Sequence, residues 1–181
     1  MKKMAALALC LALVFSMVGC GAKTTGDAQG TITEESVVSQ EVEAWKEPPA
    51  LTVVFDAENS IEAWMGTYSW RYQNEDGTGM GTTADSAHPL EAKECIPYFT
   101  SPVSPTVYLQ WDAAPDRVSV RFWDESGWGR PDTESEELPV TQAPAPSVEL
   151  KNGAYIYEVT AEWSSAEKYS GEAYYSFYTV Q

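Results

Sequence analysis

The amino-acid sequence predicts an all-β fold, an antiparallel β-sandwich of about 7–9 strands, over residues 50–181. Three observations carry this. Apolar residues recur at every second position in a series of short stretches, the period of a half-buried strand. No part of this region carries a 3.6-residue period. Turn formers separate the stretches, and ~130 residues suffice for one core without disulfide or metal staples.

The first strand spans residues 51–55, where Leu51, Val53 and Phe55 share a face; it ends at Asp56-Ala57-Glu58-Asn59-Ser60. Residues 61–64 read as a turn or a short edge piece. In 67–73, Tyr68, Trp70 and Tyr72 face one way, and Asn74-Glu75-Asp76-Gly77 supplies a tight turn. Residues 79–84 return as a glycine-weakened strand. Prolines 89, 97, 102 and 105 exclude a central strand between 85 and 105, so loops and edge segments are expected there. Residues 106–111 align Val107, Leu109 and Trp111, and after a turn at 112–116 Val118, Val120 and Phe122 align again. This pair predicts a hairpin. Residues 127–146 read as an acidic, proline-rich loop with a short strand near 137–140. A short strand around Val148 and Leu150 precedes Asn152-Gly153. The strongest strand is Tyr155 to Trp163, with Tyr155, Tyr157, Val159, Ala161 and Trp163 on one face. The last covers 172–180 with Tyr175 and Phe177 inward; Tyr174 and Tyr178, on the opposite parity, offer a second apolar face.

Ahead of the sandwich the chain has a different character. Residues 1–20, MKKMAALALCLALVFSMVGC, combine Lys2 and Lys3 with an apolar run of ~15 residues, short of the ~20 a membrane-spanning helix needs. Residues 20–49 are rich in Gly, Thr, Ser, Glu and Gln and read as a disordered tether closed by Pro48-Pro49, with at most a transient helical turn or two in 34–45. Such a tether would span on the order of 30 Å. Met17-Val18-Gly19-Cys20 resembles the lipobox of bacterial lipoproteins, with Met17 where Leu is usual. The resemblance implies a signal peptide over 1–19, cleavage before Cys20 and acylation of the Cys20 thiol, a palmitate-type lipid anchor. It therefore implies a protein held to the cell membrane on its extracytoplasmic face.

Loss of residues 1–19 removes two lysines and no acids, so the net charge of −16 becomes −18. That excess argues against nucleic acid, whose recognition rests on Lys and Arg, and against a face held to anionic lipid by charge. Of three cysteines, Cys10 leaves with the signal and Cys20 is lipidated, so Cys95 has no intramolecular partner and is expected as a packed thiol.

Val148-Glu149-Leu150-Lys151-Asn152-Gly153-Ala154-Tyr155 resembles the penultimate-strand region of immunoglobulin-like domains. The resemblance implies an immunoglobulin-like sandwich without the antibody-type disulfide, and gives Tyr155 the tyrosine-corner role, its hydroxyl bonding back to nearby backbone. The whole chain also resembles small lipoproteins of Gram-positive bacteria, through Gly66-Thr67-Tyr68-Ser69-Trp70, Ala84-Asp85-Ser86-Ala87-His88-Pro89-Leu90 and Pro115-Asp116-Arg117-Val118-Ser119-Val120-Arg121 with Trp123-Asp124. That likeness bears on location and fold only.

No residue constellation identifies a reaction. Asp85, Ser86 and His88 supply the letters of a hydrolase triad, but a triad needs groups converging from separate elements. His88 is the only histidine, which excludes His-rich metal sites. The acidic clusters around 74–76, 112–116, 124–125 and 132–137 lack the ligand spacing of a calcium loop, and no cofactor is implied. Trp64, Trp123 and Trp128 fall near loops, and Trp123 and Trp128 are the candidates for stacking on a ligand. The expected function is a membrane-anchored, non-enzymatic binding or presentation module for an extracellular protein or glycan. A carbohydrate- or peptide-binding module using the loop aromatics is the alternative, and a hydrolase comes third.

Overall fold

The computed structural model describes residues 45–100, 105–164 and 166–180. The signal segment, Cys20 and the tether up to residue 44 lie outside the described residues. Among the described residues, twelve strands form two sheets. In the first, β1 (Thr52–Val54) lies between β2 (Ser60–Glu62) and β6 (Thr106–Gln110), followed by β10 (Ser147–Glu149) and β9 (Val140–Thr141). In the second the order is β4 (Gly79–Ala84), β3 (Trp64–Gln73), β12 (Tyr169–Val180), β11 (Tyr155–Trp163), β7 (Arg117–Asp124) and β8 (Glu136–Leu138). These pairings are all antiparallel. The seventh strand, β5 (Tyr98–Thr100), runs parallel to the end of β12, beside the stretch that β3 leaves uncovered. The count exceeds 7–9 because several elements have only two or three residues.

The sheets meet through their alternating apolar faces, giving a β-sandwich. Leu51, Val53, Val107, Leu109 and Val148 from the first sheet pack against Trp70, Tyr157, Val159, Tyr175 and Phe177 from the second, all nearly solvent-free. Ring pairs add specific contacts: Tyr157 stacks on Phe177 at 5.1 Å and Trp70 meets Trp163 edge-on at 5.2 Å. Each such pair contributes roughly 0.5–1.5 kcal/mol beyond the area it buries. The inward parity expected for β3, β11 and β12 is the one observed.

The structure corrects the predicted central hairpin. β6 and β7 do not pair; they lie in opposite sheets, and residues 112–116 carry the chain across the core. Alternation reports which side of a strand faces apolar neighbours, not whether the next strand lies beside it or opposite it. The crossing is held by the Trp163 indole N–H, which donates to the Ala113 carbonyl at 3.0 Å. Residues 60–62 form a true edge strand on β1. Residues just ahead of 50 are packed too: the Trp70 indole donates to the Trp45 carbonyl at 2.7 Å, and the Tyr175 hydroxyl to the Pro49 carbonyl at 2.6 Å.

Glycine is required by space at one position in the sheet. Gly171 sits opposite Trp70, and a Cβ there would run into the Ser69 carbonyl oxygen and lie 2.6 Å from Trp70 Cε3.

Candidate functional site: an aromatic strip on the outer sheet face

The second sheet alternates, so its outward residues form rows across the strands. One row aligns Trp123 of β7, Ile156 of β11 and Tyr178 of β12. Residues 85–97 fold over this row, and Leu90, Trp123 and Ile156 form a second apolar cluster that Trp128 and Tyr178 join from its rim. Two short 3₁₀ turns fix the cover. Pro89–Glu91 is capped by His88, whose Nδ1 accepts from the Leu90 N–H at 3.2 Å. Glu125–Gly127 is capped by Asp124, whose Oδ1 accepts from the Ser126 N–H at 2.7 Å. Hydrogen bonds from Ser126, its side chain first, hold the Asp124 carboxyl below the usual carboxylate range. The Gly129 N–H then donates to the Leu90 carbonyl at 2.8 Å and ties the two turns together. Gly127 leaves room for Leu90, whose Cδ2 lies 3.3 Å from where a Cβ would stand.

Trp128 follows the second turn and is half-buried. Its ring meets Tyr178 at 5.3 Å and 83°, and Tyr178 meets Tyr98 at 5.1 Å. Tyr98 is 60% exposed and stands opposite Tyr178 in the parallel register. Trp128, Tyr178 and Tyr98 thus make a continuous strip of three rings. The Lys93 ammonium stands 5.4 Å from the centre of the Trp128 ring. Burial pushes the Tyr178 phenol above its ordinary pKa, and Tyr98 and the Glu94 carboxylate add to the rise. On one side of Trp128 lies an open depression of about 530 Å³ reaching Leu90, Lys93, Cys95 and Gly129. On the other lies a narrower notch of about 100 Å³, walled by Trp128, Tyr178, Glu125 and Lys93.

The two tryptophans singled out in the sequence therefore differ. Trp128 reaches the surface. Trp123 is 3% exposed, its indole N–H donating to the Thr133 carbonyl at 3.0 Å, with the Arg121 guanidinium 5.0 Å from the ring centre and the His88 ring 5.4 Å away. It supports the site from beneath and offers no ring face to a ligand. Tyr155 is half-buried and packs its ring edge-on against Phe122. The hydroxyl that reaches back to upstream backbone is that of Tyr157, which accepts from the Lys151 N–H at 3.0 Å. Cys95, expected to be packed, is exposed; Ala92 and Ile96 take the buried positions of this segment. Asp85, Ser86 and His88 do not converge: the Ser86 hydroxyl lies 3.4 Å from that of Thr67, and the His88 Nδ1 is engaged by the Leu90 N–H.

Tyr98 and Lys93 were not legible as site residues, since the prolines around them hide any alternation; Tyr178 carried a signal in its outward parity. Among the described residues, no group of three or more His, Cys, Asp or Glu is placed to hold a metal ion, and no helix is long and apolar enough to cross a membrane. What the strip offers chemically is stacking on an apolar or cationic face, with carboxylates at its margin. Comparison of the chain with protein-family models, with curated proteins and with solved structures finds no match.

Proposed function

We propose that this chain is an extracytoplasmic lipoprotein anchored through Cys20, and that its immunoglobulin-like sandwich is a binding module rather than an enzyme, with Trp128, Tyr178 and Tyr98 as its ligand face. The observation that carries the reading is the contiguity of these three rings on a face fixed by two capped and cross-tied turns. A preformed row of rings needs little ordering on binding and suits the C–H faces of sugar rings, so a glycan is the favoured ligand. The anchor rests on the lipobox-like Met17-Val18-Gly19-Cys20, and the net charge of −18 left after loss of residues 1–19 suits a domain standing off an anionic surface rather than lying on it.

A glycan array probed with residues 20–181 tests the ligand face. Saturable binding lost in Trp128→Ala and kept in Tyr108→Ala, on the other sheet, is expected; binding indifferent to Trp128 overturns the assignment. Metabolic labelling with a palmitate analogue tests the anchor: label lost in Cys20→Ala supports it, and label retained removes it.

A further inference from the structure

We propose that the notch walled by Trp128 and Tyr178 is a binding site for a quaternary or methylated ammonium group. The inference rests on the reading of Trp128 as part of a ligand face and adds a cationic ligand chemistry at one edge of it.

Four features of the notch point to a cation of this kind. Its two aromatic walls meet edge to face, 83° apart with centres at 5.3 Å, so a small group set in the corner beside that contact touches both rings. Its volume, about 100 Å³, is that of a small alkylated head group rather than a sugar ring or a peptide segment. Its floor is the start of β11 and the end of β12, residues 154–156 and 178–180, with Ile156 solvent-free beneath. The Glu125 carboxylate lines it and favours positive charge there. A methylated ammonium spreads its charge over C–H groups, sheds water cheaply and is held by ring faces, whereas a primary ammonium keeps its hydration.

The chain already places one cation against this ring. Lys93 Nζ lies 5.4 Å from the Trp128 centroid and lines the same notch. Lys93 is exposed, so its long stem can swing the ammonium into water when a ligand enters. It acts as an internal competitor: it neutralises the site when empty and sets a threshold for any ligand that must displace it.

Titration of residues 20–181 with choline chloride, followed by the Trp128 indole N–H and the Tyr178 amide in two-dimensional NMR, tests this. Choline is expected to shift both signals saturably, while 3,3-dimethylbutan-1-ol, its uncharged isostere, binds about five- to thirtyfold more weakly, the range of a desolvated cation–π contact. Trp128→Ala should abolish the effect, Trp128→Phe should restore part of it, and Glu125→Gln should weaken it about two- to fivefold. Lys93→Met removes the competitor and should tighten binding by a similar factor, a gain that no merely structural role would give. Equal affinity for the alcohol, weaker binding in Lys93→Met, or no saturable shift in that variant overturns the proposal. If glycan binding depends on Trp128 while choline does nothing, this inference falls and the ligand face stands. If choline binds through Trp128 and no glycan does, the inference holds and the glycan reading falls.

Discussion

Replacing Tyr157 by Phe deletes one hydroxyl from the core and leaves every carbon in place. The ring is fully buried, stacks on Phe177, and its oxygen accepts from the Lys151 N–H at 3.0 Å, with the Lys151 carbonyl 3.4 Å away. A hydrogen bond of this kind contributes about 0.5–1.5 kcal/mol net, and a backbone N–H left without its partner adds to the cost, so Tyr157→Phe should lose about 1–2 kcal/mol. For a domain of this size that corresponds to a drop in Tm of about 3–7 °C. Tyr155→Phe, two residues earlier on the same face, should shift Tm by less than about 1 °C, since its half-buried ring keeps its packing. The pH dependence gives a second readout. Burial raises the Tyr157 phenol to about 12, while in the unfolded chain it titrates near its ordinary value of 10.0. Its contribution is therefore fully present below pH ~10 and is lost as pH rises towards the folded value, because the unfolded chain releases its proton first. Tyr157→Phe should flatten that alkaline decline. Tyr174, raised to about 12 by its hydrogen bond to Glu172 and by burial, and Tyr175, raised by burial, keep the remainder. Thermal melts by circular dichroism between pH 7 and 11 measure both effects. A larger loss in Tyr155→Phe than in Tyr157→Phe would refute the assignment of the reaching hydroxyl, and with it the reasoning from the Lys151 contact.

Three further perturbations follow from the packing. Gly171→Ala forces a methyl into the Ser69 carbonyl and the Trp70 ring and should cost about 2–4 kcal/mol in a urea titration, whereas Gly79→Ala, in open space, should cost under about 1 kcal/mol. Arg121→Met leaves the carboxylate of Glu158, 4% exposed, without the guanidinium that donates to it at 2.7 Å; the loss should be about 1–3 kcal/mol, partly recovered in the Arg121→Met, Glu158→Met double variant, and no recovery would argue against an ionic origin. Cys95 is exposed and should react fully with Ellman's reagent in the native state at the rate of a small-molecule thiol, and slow or partial reaction would mean that it is covered.

Much of the sandwich was legible because two-residue alternation is written directly into β3, β11 and β12, where Trp70, Tyr157, Val159, Tyr175 and Phe177 fill the core as their parity demands. Strand neighbours were not. Residues 106–111 and 118–122 look the same whether they pair or face one another across the core, and only the handover at 112–116 decides it. The resemblance gave the reaching hydroxyl to Tyr155, whereas Tyr157 holds it; both share a face, and the six-residue reach to Lys151 is a matter of turn shape. Trp123 and Trp128 read alike as loop-side aromatics. What separates them is the cover of residues 85–97, whose prolines conceal its inward positions Leu90, Ala92 and Ile96 until the fold places them.

The hydrogen bonds from Trp70 to Trp45 and from Tyr175 to Pro49 also bear on how the domain carries a load. Tension on the chain ahead of Trp45 enters the fold at these two carbonyls before it reaches any strand. Their donors belong to β3 and β12, neighbours in the second sheet, while the chain runs on directly into β1 of the first. A pull is thereby divided between both sheets, instead of peeling β1 from β6 one bond at a time. The two carbonyls make Trp45 to Pro49 the segment to weaken when the force needed to unfold the domain from this end is to be lowered.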